Sequence, residues 1–263
     1  MTGLTAGRAG RGHPLVGLGR NAQLVPPRAR DSRRGPRVAP RCSSPAHGHA
    51  SGATEPTKSY ELASASLNVV EVNENHRRLC PSPKWAAFLH TEVLPAVVDG
   101  VDLGRKLIEI GPGPGAATKW LRHRVALLVA VERDRQAADS LAADYAGGNV
   151  KIVCGDGAAL SFGTTSFDSA GCFTMLHHVP TVALQNVVLG EMLRVLRPGG
   201  TLVGSDSVPS DDLRRFHLGD TYNPVDPGTF GDRLRDLGFE RITVHTGTTM
   251  RFTARKPDTG AKR

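Results

Sequence analysis

In the stretch Leu107–Thr118, LIEIGPGPGAAT, glycine and proline alternate directly behind an apolar run. A glycine-rich turn between a strand and a helix lets a ligand come close to the backbone. Gly111, Gly113 and Ala116 satisfy the loose dinucleotide pattern G-x-G-x-x-G/A, and Glu132 lies about 20 residues on, where an acid would accept ribose hydroxyls. NAD(P) bound by an oxidoreductase is therefore one reading. Pro112 and Pro114 weigh against it, because a pyrophosphate is held by backbone N–H groups and proline has none. Gly113, Gly115 and Ala116 keep their donors. The turn suits a ligand that needs shape and close approach more than an anion cradle.

Other chemically capable residues recur behind it. Glu109 sits inside the apolar run, where an acid is costly unless paired. Asp156 and Gly157 form a GDG turn, and Cys172, Phe173 and Thr174 precede the pair His177–His178. Histidine titrates near neutrality and could serve as a general base, although packing is the plainer role. Likewise Glu132 could be a first-turn acid of the next helix, and Asp156 a simple turn residue. Asp206, His217, Asp220, Tyr222 and Asn223 crowd the irregular stretch 206–226, which reads either as a substrate-reading loop or as a short capped helix. His76, Arg77 and Trp85 could cap a ligand, with packing an equal reading for Trp85. Cys42, Cys80, Cys154 and Cys172 show no C-x-x-C spacing. No disulfide framework and no metal are expected, and the thiols read as free in a reducing cytosol.

Positioning these residues requires a regular scaffold. Residues 1–58 carry ten Lys/Arg against two acids, and the remaining 205 residues carry 23 of each sign, so the net charge of +8 belongs to the tail. The tail is rich in Gly, Ala, Arg, Pro and Ser and is expected to be disordered. It reads as a basic arm, a transit-like segment, or GC-rich codons upstream of the true start, the last being preferred. The body, 59–263, has no charge bias towards nucleic acid. No run approaches a membrane span, so a cytoplasmic protein is expected. Helices are expected over 70–100, broken at Pro81–Pro83, with Ser82 as an N-cap, and ended by Gly100. Apolar strands KLIEI, ALLVAVE, VKIVC, FDSAGCF and TLVGSDS then alternate with helices, the helix before the fifth strand closing in the turn RPGG. A terminal hairpin turns around Thr246–Thr248. This is an α/β, doubly wound, Rossmann-like sheet of seven strands, mostly parallel with an antiparallel C-terminal hairpin strand. Its ligand should sit beyond the carboxyl ends of the central strands.

The ordered series LIEIGPGPG, VERD, VCGDGAAL, FDSAGCFTMLHHV and RVLRPGG resembles the successive motifs of class I S-adenosylmethionine-dependent methyltransferases. The likeness runs from Leu103 to Leu202 and, with the hairpin, to about Arg255. The helices over 75–100 are similar to those of the bacterial ubiquinone-biosynthesis-type branch. The resemblance implies S-adenosyl-L-methionine as cofactor. Gly111, Gly113 and Gly115 would admit its methionyl and ribose parts, and Glu109 would fix the turn and the amine. Glu132 would take both ribose hydroxyls, Asp156 and the Gly157 amide the adenine edge, and Cys172, Phe173 and Thr174 would line the reaction side. Of His177 and His178, one would pack and the other would bound the pocket, a catalytic base being the lesser reading. His217, Asp220, Tyr222 and Asn223 would face the substrate.

Two absences narrow the acceptor. TMLH stands where amine methyltransferases of nucleic acid carry Asp/Asn-Pro-Pro-aromatic, and no Pro-Cys pair follows the fourth strand. A small-molecule acceptor is the main expectation, with no membrane or nucleic-acid partner. The alternatives are a nicotinamide oxidoreductase, for which the Tyr-x-x-x-Lys relay is missing, and an enzyme acting on RNA through the basic tail.

Overall fold

The computed structural model describes residues 72–258. The tail expected over 1–58 lies outside the described residues. No helix among those described is long and apolar enough to cross a membrane.

Seven strands form one sheet in the order β3-β2-β1-β4-β5-β7-β6. The strands are β1 (Lys106–Ile110), β2 (Leu127–Glu132), β3 (Val150–Cys154), β4 (Phe167–Phe173), β5 (Leu196–Ser207), β6 (Glu240–Thr246) and β7 (Thr249–Arg255). The first five pair in parallel, and β7 runs antiparallel to both β5 and β6. The order reverses between β1 and β4, which is where such sheets open a ligand crevice. The nicotinamide-binding order 3-2-1-4-5-6 has no inverted strand between its last two, so this sheet departs from it.

Alternation along each strand builds two cores. Leu107, Leu128, Phe173 and Val203 face one side of the sheet, under α3 (Leu94–Val98) and α4 (Ala116–Leu121). Their neighbours Ile108, Val129, Cys172 and Leu202 face the other, under α6 (Val182–Val195) and α8 (Pro227–Asp236). Each buried large aliphatic side chain contributes about 1.5–3 kcal/mol relative to exposure, which makes the doubly covered strands the framework of the fold.

The N-terminal helices are α1 (Glu74–Leu79) and α2 (Pro83–Phe88), the latter running through a π turn, Leu89–Val93, into α3. Ser82 caps α2 as expected, its hydroxyl accepting from the Trp85 N–H at 3.1 Å. The expected RPGG turn is instead the first part of β5. Leu196 pairs with Phe167, the register slips before Ser169, and Arg197 pairs with Asp168 at 2.6 Å. Gly199 at φ 66° makes the kink, and backbone bonds to Lys256 hold it. Between β2 and β3 lies α5 (Arg135–Asp144), and α7 (Asp211–Phe216) occupies part of the irregular stretch, capped by Ser210.

Candidate active site

The glycine turn joins β1 to α4. Gly111, Gly113 and Gly115 all hold positive φ, at 66°, 52° and 81°, a region that costs other residues about 1–2 kcal/mol each. Their surroundings separate them. A Cβ on Gly111 would lie 2.3 Å from Met175 Cγ, and one on Gly115 2.5 Å from Leu141 Cδ2; one on Gly113 would meet nothing within 4 Å. Gly111 and Gly115 thus admit neighbours of this chain, while Gly113 presents bare backbone to open space. Gly111→Ala is expected to lose about 2–5 kcal/mol of stability from strain plus overpacking, against about 1–2 for Gly113→Ala. Denaturant titration of the two variants checks this, and equal losses would contradict the division.

Two of the turn's remaining donors are bonded within the chain. Gly115 N–H bonds Pro112 O at 2.9 Å, and Gly113 N–H bonds Glu132 Oε2 at 3.0 Å. With two prolines beside them, little is left for an anion.

Glu132 ends β2 nearly buried, at 9 % exposure. Its second oxygen accepts from Asp134 N–H at 2.9 Å. Each carboxylate oxygen has a further lone pair, so the group that pins the turn can still receive two hydroxyls. Glu109 is fully buried beside Thr118, whose hydroxyl donates to it at 2.7 Å. Burial pushes its carboxyl up to about 7, with Glu132 adding to the rise and the Thr118 bond opposing it. Asp156 is exposed at the end of β3; one oxygen accepts from Ala158 N–H at 2.8 Å. Gly157 packs so closely that a Cβ would stand 2.7 Å from Ile110.

At the end of β4 the structure divides the expected wall. Cys172 is wholly buried in one core and Phe173 is buried in the other, and burial raises the Cys172 thiol far above its ordinary range. Only Thr174 reaches the crevice edge. It holds φ 53° and is fixed by its N–H bond to Ser205 O at 2.8 Å. Backbone strain in a non-glycine residue is often found beside functional sites.

Beyond Thr174, Leu176–His178 form a 3-10 turn. His177 is buried, with Nδ1 2.5 Å from Oδ1 of the fully buried Asp206 on β5. Four histidines gather there. The His177 ring lies 4.1 Å from that of His178 and 5.0 Å from His217, and His76 lies 4.8 Å from His178 and 4.6 Å from His217. Burial and the neighbouring imidazoles lower His76 to about 4 and His178 to about 2, so His178 is a poor proton acceptor at neutral pH. Tyr222 stacks on His217 at 4.3 Å. Asp220, on the same segment, bonds His76 Nδ1 at 2.8 Å. Asn223 is a pin: its N–H donates to His177 O and its side-chain amide to Val179 O. Arg77 is exposed, and Trp85 is half-buried against Phe88.

Sequence reading named most of these residues but missed their partners. Thr118 under Glu109 and Met175 under Gly111 lie within the quoted motifs, but nothing in the sequence marks them as partners. His76 joins His177 across a gap in the chain that no spacing rule reports.

Residues 108–204 match a family described as a methyltransferase domain. The chain is 29 % identical over 159 residues to the sarcosine/dimethylglycine N-methyltransferase of Halorhodospira halochloris, covering 54 % of each chain. It is 31 % identical over 113 residues to the ubiquinone/menaquinone biosynthesis C-methyltransferase UbiE of Pseudomonas fluorescens, covering 40 % of this chain and 43 % of that one. It thus spans about half the length of the curated relatives it matches. The phosphoethanolamine N-methyltransferase 2 of Haemonchus contortus, solved in complex with S-adenosyl-L-methionine, superposes with a TM-score of 0.52 at 14 % identity, over 63 % of this chain and 51 % of that one, a likeness of fold. Residues 108–204 thus match a methyltransferase domain, set in a seven-stranded sheet with an inverted β7 and a glycine turn behind β1, as in the class I S-adenosylmethionine-dependent methyltransferases that this chain resembles.

Proposed function

We propose that the protein transfers a methyl group from S-adenosyl-L-methionine to a small-molecule acceptor. The observation that carries this reading is the turn itself: the Gly113 and Gly115 amides are bonded internally, Pro112 and Pro114 have none, and the bare Gly113 backbone faces open space beside the Glu132 carboxylate. Such a surface receives a nucleoside with a neutral ribose and rejects a pyrophosphate.

The residues fit that cofactor. Glu132 accepts the ribose hydroxyls with the lone pairs that Gly113 and Asp134 leave. Asp156 has an oxygen outside its turn bond for the adenine edge, with the Gly157 amide beside it. Glu109 supplies the negative charge that a cofactor ammonium requires. S-adenosylmethionine brings a methyl already activated on a sulfonium, so the chain's task is alignment and exclusion of water. We place the acceptor against the wall formed by Thr174, His177, His217 and Tyr222, with Asp206 fixing the His177 ring. The balanced charge of the body after residue 58 favours a small acceptor over RNA.

Isothermal titration with S-adenosylmethionine, S-adenosylhomocysteine and NADH tests the cofactor. Binding of the first two is expected; tight NADH binding without S-adenosylhomocysteine binding would overturn the reading. Labelled-methyl transfer into a metabolite extract, compared with RNA, identifies the acceptor class.

A further inference from the structure

The four imidazoles raise a problem of charge and protons. His76, His177 and His217 each turn Nδ1 to an oxygen that can only accept: Asp220 at 2.8 Å, Asp206 at 2.5 Å and the Leu213 carbonyl at 2.6 Å. Each Nδ1 therefore carries a proton, and each Nε2 presents a lone pair. The buried Nε2 of His217 has no hydrogen-bond partner. His178 hydrogen-bonds to the Thr221 backbone, and its buried Nδ1 is likewise without a partner. The four ligand nitrogens lie within 4.8 Å of one another. Ring nitrogens of four histidines thus gather in one place, and two of them, His217 Nε2 and His178 Nδ1, have no hydrogen-bond partner there.

The surrounding charge has the same sign. The side chains of Asp206 and Asp220 are fully buried, and their ionic partners among the described residues are these histidines. Two buried carboxylates call for positive charge beside them.

We propose that His76, His177, His178 and His217 bind one divalent first-row transition-metal ion of the zinc class, with Asp206 and Asp220 orienting two of the ligands. Imidazole nitrogen suits zinc and its neighbours, whereas magnesium and calcium require oxygen. A carboxylate behind a metal-bound histidine is the usual support for that ligand. Tetrahedral zinc, with bonds of about 2.0–2.1 Å, sets its nitrogens about 3.4 Å apart, so closing the site takes side-chain shifts of about an ångström. Bound there, the ion ties α1, the segment behind β4 and the segment behind α7 together over the strand ends. The site stands on these residues alone and does not depend on the cofactor reading.

The test uses the full chain, stripped with a chelator and given zinc or cobalt(II) alone. One equivalent of tightly bound zinc, a raised Tm and a cobalt d–d spectrum are expected, with no response to magnesium. His178→Ala and His217→Ala should each weaken zinc binding at least about tenfold, while S-adenosylhomocysteine titration reports separately on the cofactor site. Less than half an equivalent bound to folded wild-type protein, or affinity unchanged in both variants, would overturn the proposal. Should the variants fail to fold, cobalt-loaded wild type decides: three or four paramagnetically shifted imidazole N–H signals support the site, and fewer refute it.

Discussion

Glu132→Ala weakens S-adenosylhomocysteine binding by more than about tenfold, about 1.4 kcal/mol, in a protein that still folds. Two losses combine. The variant removes the acceptors proposed for the ribose hydroxyls, and it releases Gly113 N–H, whose 3.0 Å bond fixes the turn beside them. Leaving that part-buried donor unpaired costs about 1–3 kcal/mol of stability, so a lower Tm accompanies the lost affinity. Glu132→Gln should be intermediate, because its one amide oxygen can replace only part of what the carboxylate accepts. Titration calorimetry on both variants, with circular dichroism confirming the fold, checks the result. Unchanged affinity in folded Glu132→Ala would refute the ribose role.

Glu109→Gln is expected to do the opposite to stability. The native carboxyl titrates near 7, against an ordinary value of 4.5, because burial disfavours its charge. Between these values the native state binds more protons than the unfolded chain, so stability falls as pH rises through this window and levels off above pH 7. The whole difference is about 3 kcal/mol. Glutamine carries no charge and can still accept the Thr118 hydroxyl bond. The variant should therefore be more stable at pH 8, with a Tm higher by roughly 6 °C or more, and its stability should be flatter between pH 5 and 8. Its affinity for the cofactor should fall, since the ammonium loses its counter-charge. In the wild type, binding the ammonium draws the proton off Glu109, so affinity rises with pH up to about 7. Thermal melts across pH, and calorimetry in buffers of different ionisation enthalpy, measure both effects. A stability profile identical to wild type would show that Glu109 does not carry the penalty.

The sheet was legible because its signals are local and repeated. Apolar runs of strand length end in glycine or acid, and the helices before them carry caps such as Ser82. The RPGG segment was misread because its turn residues obey local chemistry, while the pairing of Leu196 with Phe167 depends on a neighbouring strand. At the site, the motif glycines could be named from sequence, but their division of labour could not. Whether a missing Cβ faces Met175, Leu141 or open space is a fact of packing. The histidine cluster was hidden for a related reason. Metal spacing is recognised when ligands share a helix or a knuckle, and here only His177 and His178 are neighbours in the chain.

The internally bonded turn also bears on selection among cellular molecules. Adenosine is the common handle of ATP, NAD and coenzyme A, all of which carry phosphate at the ribose 5′ position. A site that graded them by adenine and ribose alone would be occupied by the wrong nucleotide most of the time. With the Gly115 amide closed upon Pro112 O, the Gly113 amide upon Glu132, and none on Pro112 or Pro114, this turn offers those 5′ phosphates few replacements for the water they would lose, and sets a carboxylate nearby. On the proposed cofactor reading, discrimination against abundant coenzymes is then a property of the resting protein, built into the backbone before any ligand arrives.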